Sequence, residues 1–309
     1  MLIALAAVVV LGVVGFLVGG SGGDGGGQAS SSGAPAPKGQ LVSGDAVAFT
    51  PPAGWRRLDD PPAIPGMELT GGVAASKGGA AGGPGFVAGA APADAANFTL
   101  LPRAFLTAAG IPSKRPAVEL ADGVPAFRYT GVRPEGFDAP LTVYALQTAD
   151  GVINAACFGA DVKTCDAVAS TVELQGAKAL PLGPGAAYAK TLDRALGRLD
   201  RARASGRRSL ARASDNRRYA TAADGLARAY GSAATTLRGA APQPADVSVN
   251  GVVVDALQRG QAAYRTLAKT ARRNNRGGFP AARRAVSGAD AKVRKALAAL
   301  ETAGYDVRS

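Results

Sequence analysis

At 309 residues the chain is long enough for two modest domains with accessory segments, and with 47% apolar but only 6% aromatic residues its cores must be thin and Ala-rich. The formal charge of +12 is divided unevenly: residues 1–183 carry 11 Lys+Arg against 14 Asp+Glu (net −3), and residues 184–309 carry 24 against 9 (net +15). The chain has no His and two Cys, which excludes His-ligated zinc, Ser-His-Asp triads, Cys-His dyads and an all-Cys zinc site; no metal, cofactor or catalytic residue is expected.

Leu2 to Val18 (LIALAAVVVLGVVGFLV) is uncharged and as a helix would span about 26 Å, marginally enough for a bilayer core. A cleaved signal peptide is the rival reading. The run is followed by Gly19-Gly20-Ser21-Gly22-Gly23 rather than a small-residue cleavage site, which favours an uncleaved anchor over residues 1–18. Residues 19–40 are mostly Gly, Ser, Ala and Pro without apolar periodicity and read as a flexible linker with a reach of roughly 25 Å.

Residues 41–175 read as an α+β domain. Strands are expected at Ala46–Thr50, Gly66–Lys77, Gly85–Gly89, Ala117–Leu120, Val124–Gly131, Leu141–Thr148 and Val152–Cys157. Asp122-Gly123 and Asp150-Gly151 are expected to supply hairpin turns. Helices are expected at Leu101–Ala109, with Pro102 in the first turn, and at about Asp161–Thr171. Cys157 and Cys165 lie at a strand end and on the helix that follows it. A bridge between them closes a short loop and fits an oxidising exterior; two unrelated buried thiols in a cytosolic domain is the other reading.

The strand leading into Pro52-Ala53-Gly54-Trp55, the antiparallel meander and a final helix ending near Ser170 resemble the PsbP-like α/β sandwich of secreted and membrane-anchored actinobacterial proteins. The resemblance covers about 135 residues. It implies a non-enzymatic binding or assembly module, and no functional residue carries over with it.

After a linker at 176–183, residues 184–309 show four helical stripes of small apolar residues at three- and four-residue steps. These are Tyr188-Leu192-Ala195-Leu199-Ala202, Tyr219-Ala223-Leu226-Tyr230-Ala233-Leu237, Val253-Leu257-Gly260-Tyr264-Leu267-Ala271 and Val286-Ala289-Val293-Ala296/Leu297-Leu300. Breaks fall at Ser214–Asn216, Gly239–Pro244 and Arg276–Gly278. Gly206 interrupts the first stripe's tail, and Gly304 is a C-terminal cap. The expected architecture is therefore an N-terminal transmembrane helix, a PsbP-like antiparallel sheet with helices, and a basic four-helix, coiled-coil-like bundle.

The candidate anion-binding residues are Arg194, Arg198, Arg201, Arg207, Arg208 and Arg212, with Arg203 beside them, lying off the first apolar stripe; a solvated face inflated by Arg-rich composition is the alternative. No aromatic residue interleaves with them, which argues against nucleic acid. Gly72–Lys77 lacks the second Gly and the hydroxyl residue of a phosphate loop. Arg276-Gly277-Gly278-Phe279 reads as an interhelical turn, Trp55 as a core plug, and Asp59-Asp60 and Glu135/Asp138 as solvated carboxylates. The function expected is a membrane-anchored, extracytoplasmic, non-catalytic scaffold of the cell envelope. Its bundle would engage anionic lipid, an envelope polymer or a protein partner. The alternatives are a carboxylate-based envelope hydrolase and an extracellular DNA binder.

Overall fold

The computed structural model describes residues 38–80 and 82–307. The expected anchor Leu2 to Val18 and most of the linker 19–40 lie outside the described residues. Among the described residues no helix is long and apolar enough to cross a membrane. Ala34–Ser309 forms one compact unit by itself, with an α+β part followed by four long helices.

In the α+β part the elements run β1 (Val42–Ser43), β2 (Val47–Phe49), β3 (Trp55–Arg57), β4 (Thr70–Lys77), β5 (Gly85–Ala90), α1 (Arg103–Ala109), β6 (Ala117–Glu119), β7 (Pro125–Val132), β8 (Leu141–Thr148), β9 (Gly151–Phe158), α2 (Val162–Ala169) and β10 (Glu173–Leu174). Seven strands form one antiparallel sheet in the order β3-β4-β5-β9-β8-β7-β6, and β1-β2-β10 form a small second sheet.

The large sheet is covered on both faces. Alternate residues of its central strands enter different cores: Tyr144, Leu146, Ile153 and Cys157 meet α2 and the small sheet, while Leu141, Val143, Ala156 and Phe158 meet α1 and the irregular stretches holding Leu58, Ile64, Leu100 and Leu101. Every residue of β8 is therefore buried. Trp55 packs into the first of these cores, so it is a core plug.

Most expected boundaries shift by a few residues, and some of the shifts have a clear local reason. The strand expected from Gly66 begins at Thr70, because Gly66 sits at φ +74° and a Cβ there would lie 2.4 Å from the backbone of Ala104. Only Gly fits both the left-handed backbone and that contact. The helix expected from Leu101 begins at Arg103, since Pro102 holds an extended backbone as its cap. Asp161 lies outside α2 as its cap, accepting from the Thr164 amide at 2.7 Å. The second hairpin also differs. Gly151 opens β9 opposite Thr148, so the turn is Ala149-Asp150; at the first, Asp122 and Gly123 both adopt positive φ as a tight turn requires.

The bundle consists of α3 (Ala186–Ala211), α4 (Asn216–Arg238), α5 (Pro244–Arg272) and α6 (Phe279–Thr302). Nearly all of the stripe residues named above lie in its single core. Gly206 does not interrupt α3, which continues to Ala211. A Cβ at Gly206 would lie 2.6 Å from the Leu226 side chain, so this Gly permits close approach of α4. Gly304, at φ +94°, ends α6 as expected: its amide donates to Glu301 and that of Tyr305 to Leu300, the paired bonds of a Schellman cap.

The two parts meet at Gln147. Its side chain accepts from the Ala245 amide at the start of α5 (3.0 Å) and donates to the Pro181 carbonyl and to Gln243. Lys178 and Leu180, in the linker stretch, hydrogen bond alongside the end of β8. A fully buried amide with three partners fixes this junction more narrowly than apolar contact alone would.

Candidate functional site

Helix α3 presents two different basic surfaces. At 3.6 residues per turn, Arg194, Arg198, Arg201, Arg208 and Arg212 fall within about 40° of one line, some 27 Å long. All five are exposed, and none lies within ion-pair distance of a carboxylate among the described residues. Arg203 and Arg207 point about 140–180° away from that line, towards the other helices, where Arg203 is partly buried and Arg207 stays exposed at the seam. The sequence reading placed these seven side chains on one face; the helix separates them five and two.

The inward pair belongs to a cluster centred on Asp290 of α6, which is only 8% exposed. One carboxylate oxygen accepts from the Tyr230 hydroxyl at 2.5 Å; the other accepts from Arg207 at 3.2 Å and from the Tyr264 hydroxyl at 3.5 Å. Burial, then the bond to Asp290, raises the Tyr230 pKa far above the usual phenol value, so Tyr230 remains a donor. Burial opposes the charge on Arg203, but the carboxylates of Asp290 and Asp200 outweigh it and hold the guanidinium charged. The cluster joins four helices.

A cleft of about 510 Å³ opens beside this cluster between α3 and α6. The close helix pairings are α3 with α4, α4 with α5 and α5 with α6. The ring is thus open on its fourth side, where Arg207 and Asp290 bridge the gap. Arg283 and Arg294 of α6 also line the cleft.

A second Tyr–Asp pair seals the other end of the bundle. The Tyr305 hydroxyl donates to buried Asp246 and accepts from the Gly185 amide at 3.1 Å. Burial raises the Asp246 pKa, with Tyr305 acting against it. A carboxyl that holds its proton more tightly folded than unfolded makes stability fall as pH rises from the unfolded value, about 3.9, through the folded one, and the penalty is complete at neutral pH. Asp246→Asn should abolish that slope in urea titrations across the acid range. Because Tyr305 can donate to the amide oxygen, it should cost little at neutral pH. An unchanged slope would show that another group carries it.

In the α+β part, Asp166 accepts from Tyr144 (2.5 Å) and Arg128 (2.6 Å), a link between α2 and the sheet. Cys157 and Cys165 form a disulfide with Cα atoms 5.7 Å apart. Asp59, Asp60, Glu135 and Asp138 are exposed, Gly72–Lys77 lies in β4, and Arg276–Gly278 is the turn before α6. No group of His, Cys, Asp and Glu able to hold a metal occurs among the described residues. Comparison with protein-family models, curated proteins and solved structures finds no match.

Neither Asp290 nor the cleft was singled out in the sequence. A signal was present: Asp290 falls between Val286 and Val293 on the apolar stripe of α6, where an unpaired carboxylate would be costly.

Proposed function

We propose that the chain is a non-catalytic binding protein tethered by Leu2 to Val18, its folded part outside the cytoplasm, and that the outer arginine stripe of α3 docks it onto an anionic envelope surface. The observation carrying this reading is the stripe itself: five exposed guanidinium groups in line, without a carboxylate partner among the described residues. Charges that serve internal structure are paired, as Arg128, Arg207 and Arg272 are, with Asp166, Asp290 and Asp224. The disulfide between the only two Cys supports an oxidising compartment. The antiparallel sheet covered on both faces is compatible with the PsbP-like resemblance.

The test uses Ala34–Ser309 and vesicles containing phosphatidylglycerol, with phosphatidylcholine vesicles and a polyphosphate-bearing polymer as further arms. At about 1 kcal/mol for each basic residue near an anionic membrane, changing all five arginines to Gln should lower retention by on the order of a thousandfold. Salt should weaken the wild type and barely affect the variant. Equal retention of the two proteins, or of the wild type at low and high salt, would overturn the reading. Tighter binding to duplex DNA than to either anionic surface would favour the DNA-binding alternative.

A further inference from the structure

The seam between α3 and α6 differs from the outer stripe in place and in chemistry. Its cleft of about 510 Å³ lies on the opposite side of α3, and its apolar side chains gather towards one end. Arg207, Tyr264, Asp290 and Arg294 line the first end, and Leu210, Leu267, Phe279 and Val286 the second, with Arg283 and Ser287 at its rim. The order follows from the helices: α6 runs from Phe279 and Val286 to Asp290 and Arg294, while antiparallel α3 brings Leu210, in its last turn, beside the start of α6. From Arg283 to Arg294 is three turns, about 16 Å. The Tyr219 and Phe279 rings, 5.2 Å apart edge to face, close the apolar end.

The charges select the sign of an occupant. Both oxygens of Asp290 are already engaged, by Tyr230 on one side and by Arg207 and Tyr264 on the other, so its charge is largely spent on groups of the bundle and attracts an entering cation less than a free carboxylate would. Arg283 and Arg294 have no carboxylate within ion-pair distance among the described residues. Three guanidinium groups against one carboxylate also explain why the seam is not closed by helix packing, since drawing α3 and α6 together would crowd like charges into a desolvated space.

We propose that this seam binds a single-chain anionic amphiphile of the fatty-acid class, its carboxylate held by Arg294 and Arg207 and its acyl chain laid along Leu210, Leu267, Val286 and Phe279. Arg matches a carboxylate with two parallel N–H donors. The volume lies within the range of small-molecule sites, which combine apolar walls with a few placed polar groups.

Calorimetric titration of Ala34–Ser309 with dodecanoate below its micelle concentration tests this, with dodecanol and dodecyltrimethylammonium as controls. One dodecanoate should bind per chain, with dodecanol at least tenfold weaker and the cationic amphiphile not retained. Arg294→Gln should weaken dodecanoate about tenfold, and Val286→Arg, which fills the apolar end, should abolish binding. Replacing the outer stripe arginines should leave it unchanged, which separates this site from the docking surface. Equal affinity for dodecanoate and dodecanol by the wild type would overturn the proposal. So would undiminished binding by Val286→Arg with its helical melting curve intact.

Discussion

Replacing Asp290 with Ala is expected to lower the stability of the bundle by on the order of 3 kcal/mol. The loss has two sources. The Tyr230 hydroxyl is wholly buried and donates to Asp290 at 2.5 Å; without an acceptor it carries its full desolvation cost, roughly 1–3 kcal/mol. Arg203, partly buried, loses the attraction of Asp290 but keeps its ion pair with Asp200 at 3.3 Å, so its share is smaller than that of a broken buried pair. The contribution of Arg207 is smaller, because its side chain is 54% exposed and water screens it. Asp290→Asn keeps an oxygen for Tyr230 but not the charge, so about half of the loss should remain. Adding Tyr230→Phe to Asp290→Ala removes the orphaned hydroxyl and should recover part of the loss, a coupling of about 1 kcal/mol or more in a double-mutant cycle. Denaturant midpoints followed by far-ultraviolet circular dichroism measure the wild type, both Asp290 variants, Tyr230→Phe alone and the double variant. Strict additivity would show that Tyr230 and Asp290 are neighbours without being partners.

The helical half of the fold was readable because each stripe is local. Tyr188, Leu192 and Leu199, or Val253, Leu257 and Tyr264, recur at helical spacing whatever lies opposite, and Pro and Gly mark the turns between them. What escaped the sequence depends on residues far apart in the chain. Asp290 draws its partners from three other helices, and a single helical charge reads as solvated until the seam facing it is known. The division of the α3 arginines was within reach, since projecting Arg203 and Arg207 on a helical wheel separates them from Arg194 and Arg198. Composition and spacing alone did not make that separation. In the sheet, alternation implies one wet face, yet β8 is buried throughout because irregular segments around Ile64 and Leu100, which carry no periodic signal, cover the second face. The Gln147 junction is invisible for a similar reason: a polar residue ending a strand resembles a solvent-facing one until Pro181, Gln243 and Ala245 surround it.

Removing the disulfide should produce the second large effect, confined to the α+β part. Cys157 and Cys165 are 1% and 0% exposed and sit in the core that also holds Trp55. Their bridge spans a sequence separation of 8, and closing so short a loop in the unfolded chain contributes about 2.5 kcal/mol by its entropy. Replacing both with Ala also removes two buried sulfur atoms, so the expected total is about 3 kcal/mol or somewhat more. Trp55 is the only Trp in the chain, so its fluorescence reports this core, whereas the far-ultraviolet signal is dominated by α3–α6. The double variant should shift the Trp55 transition to lower denaturant by much more than the helical one. The lag between the two signals then measures how firmly Gln147 couples the parts: coincident shifts would mean that the junction makes them unfold together. An unshifted Trp55 transition would mean that the bridge constrains nothing the packing of α2 on β9 does not already hold.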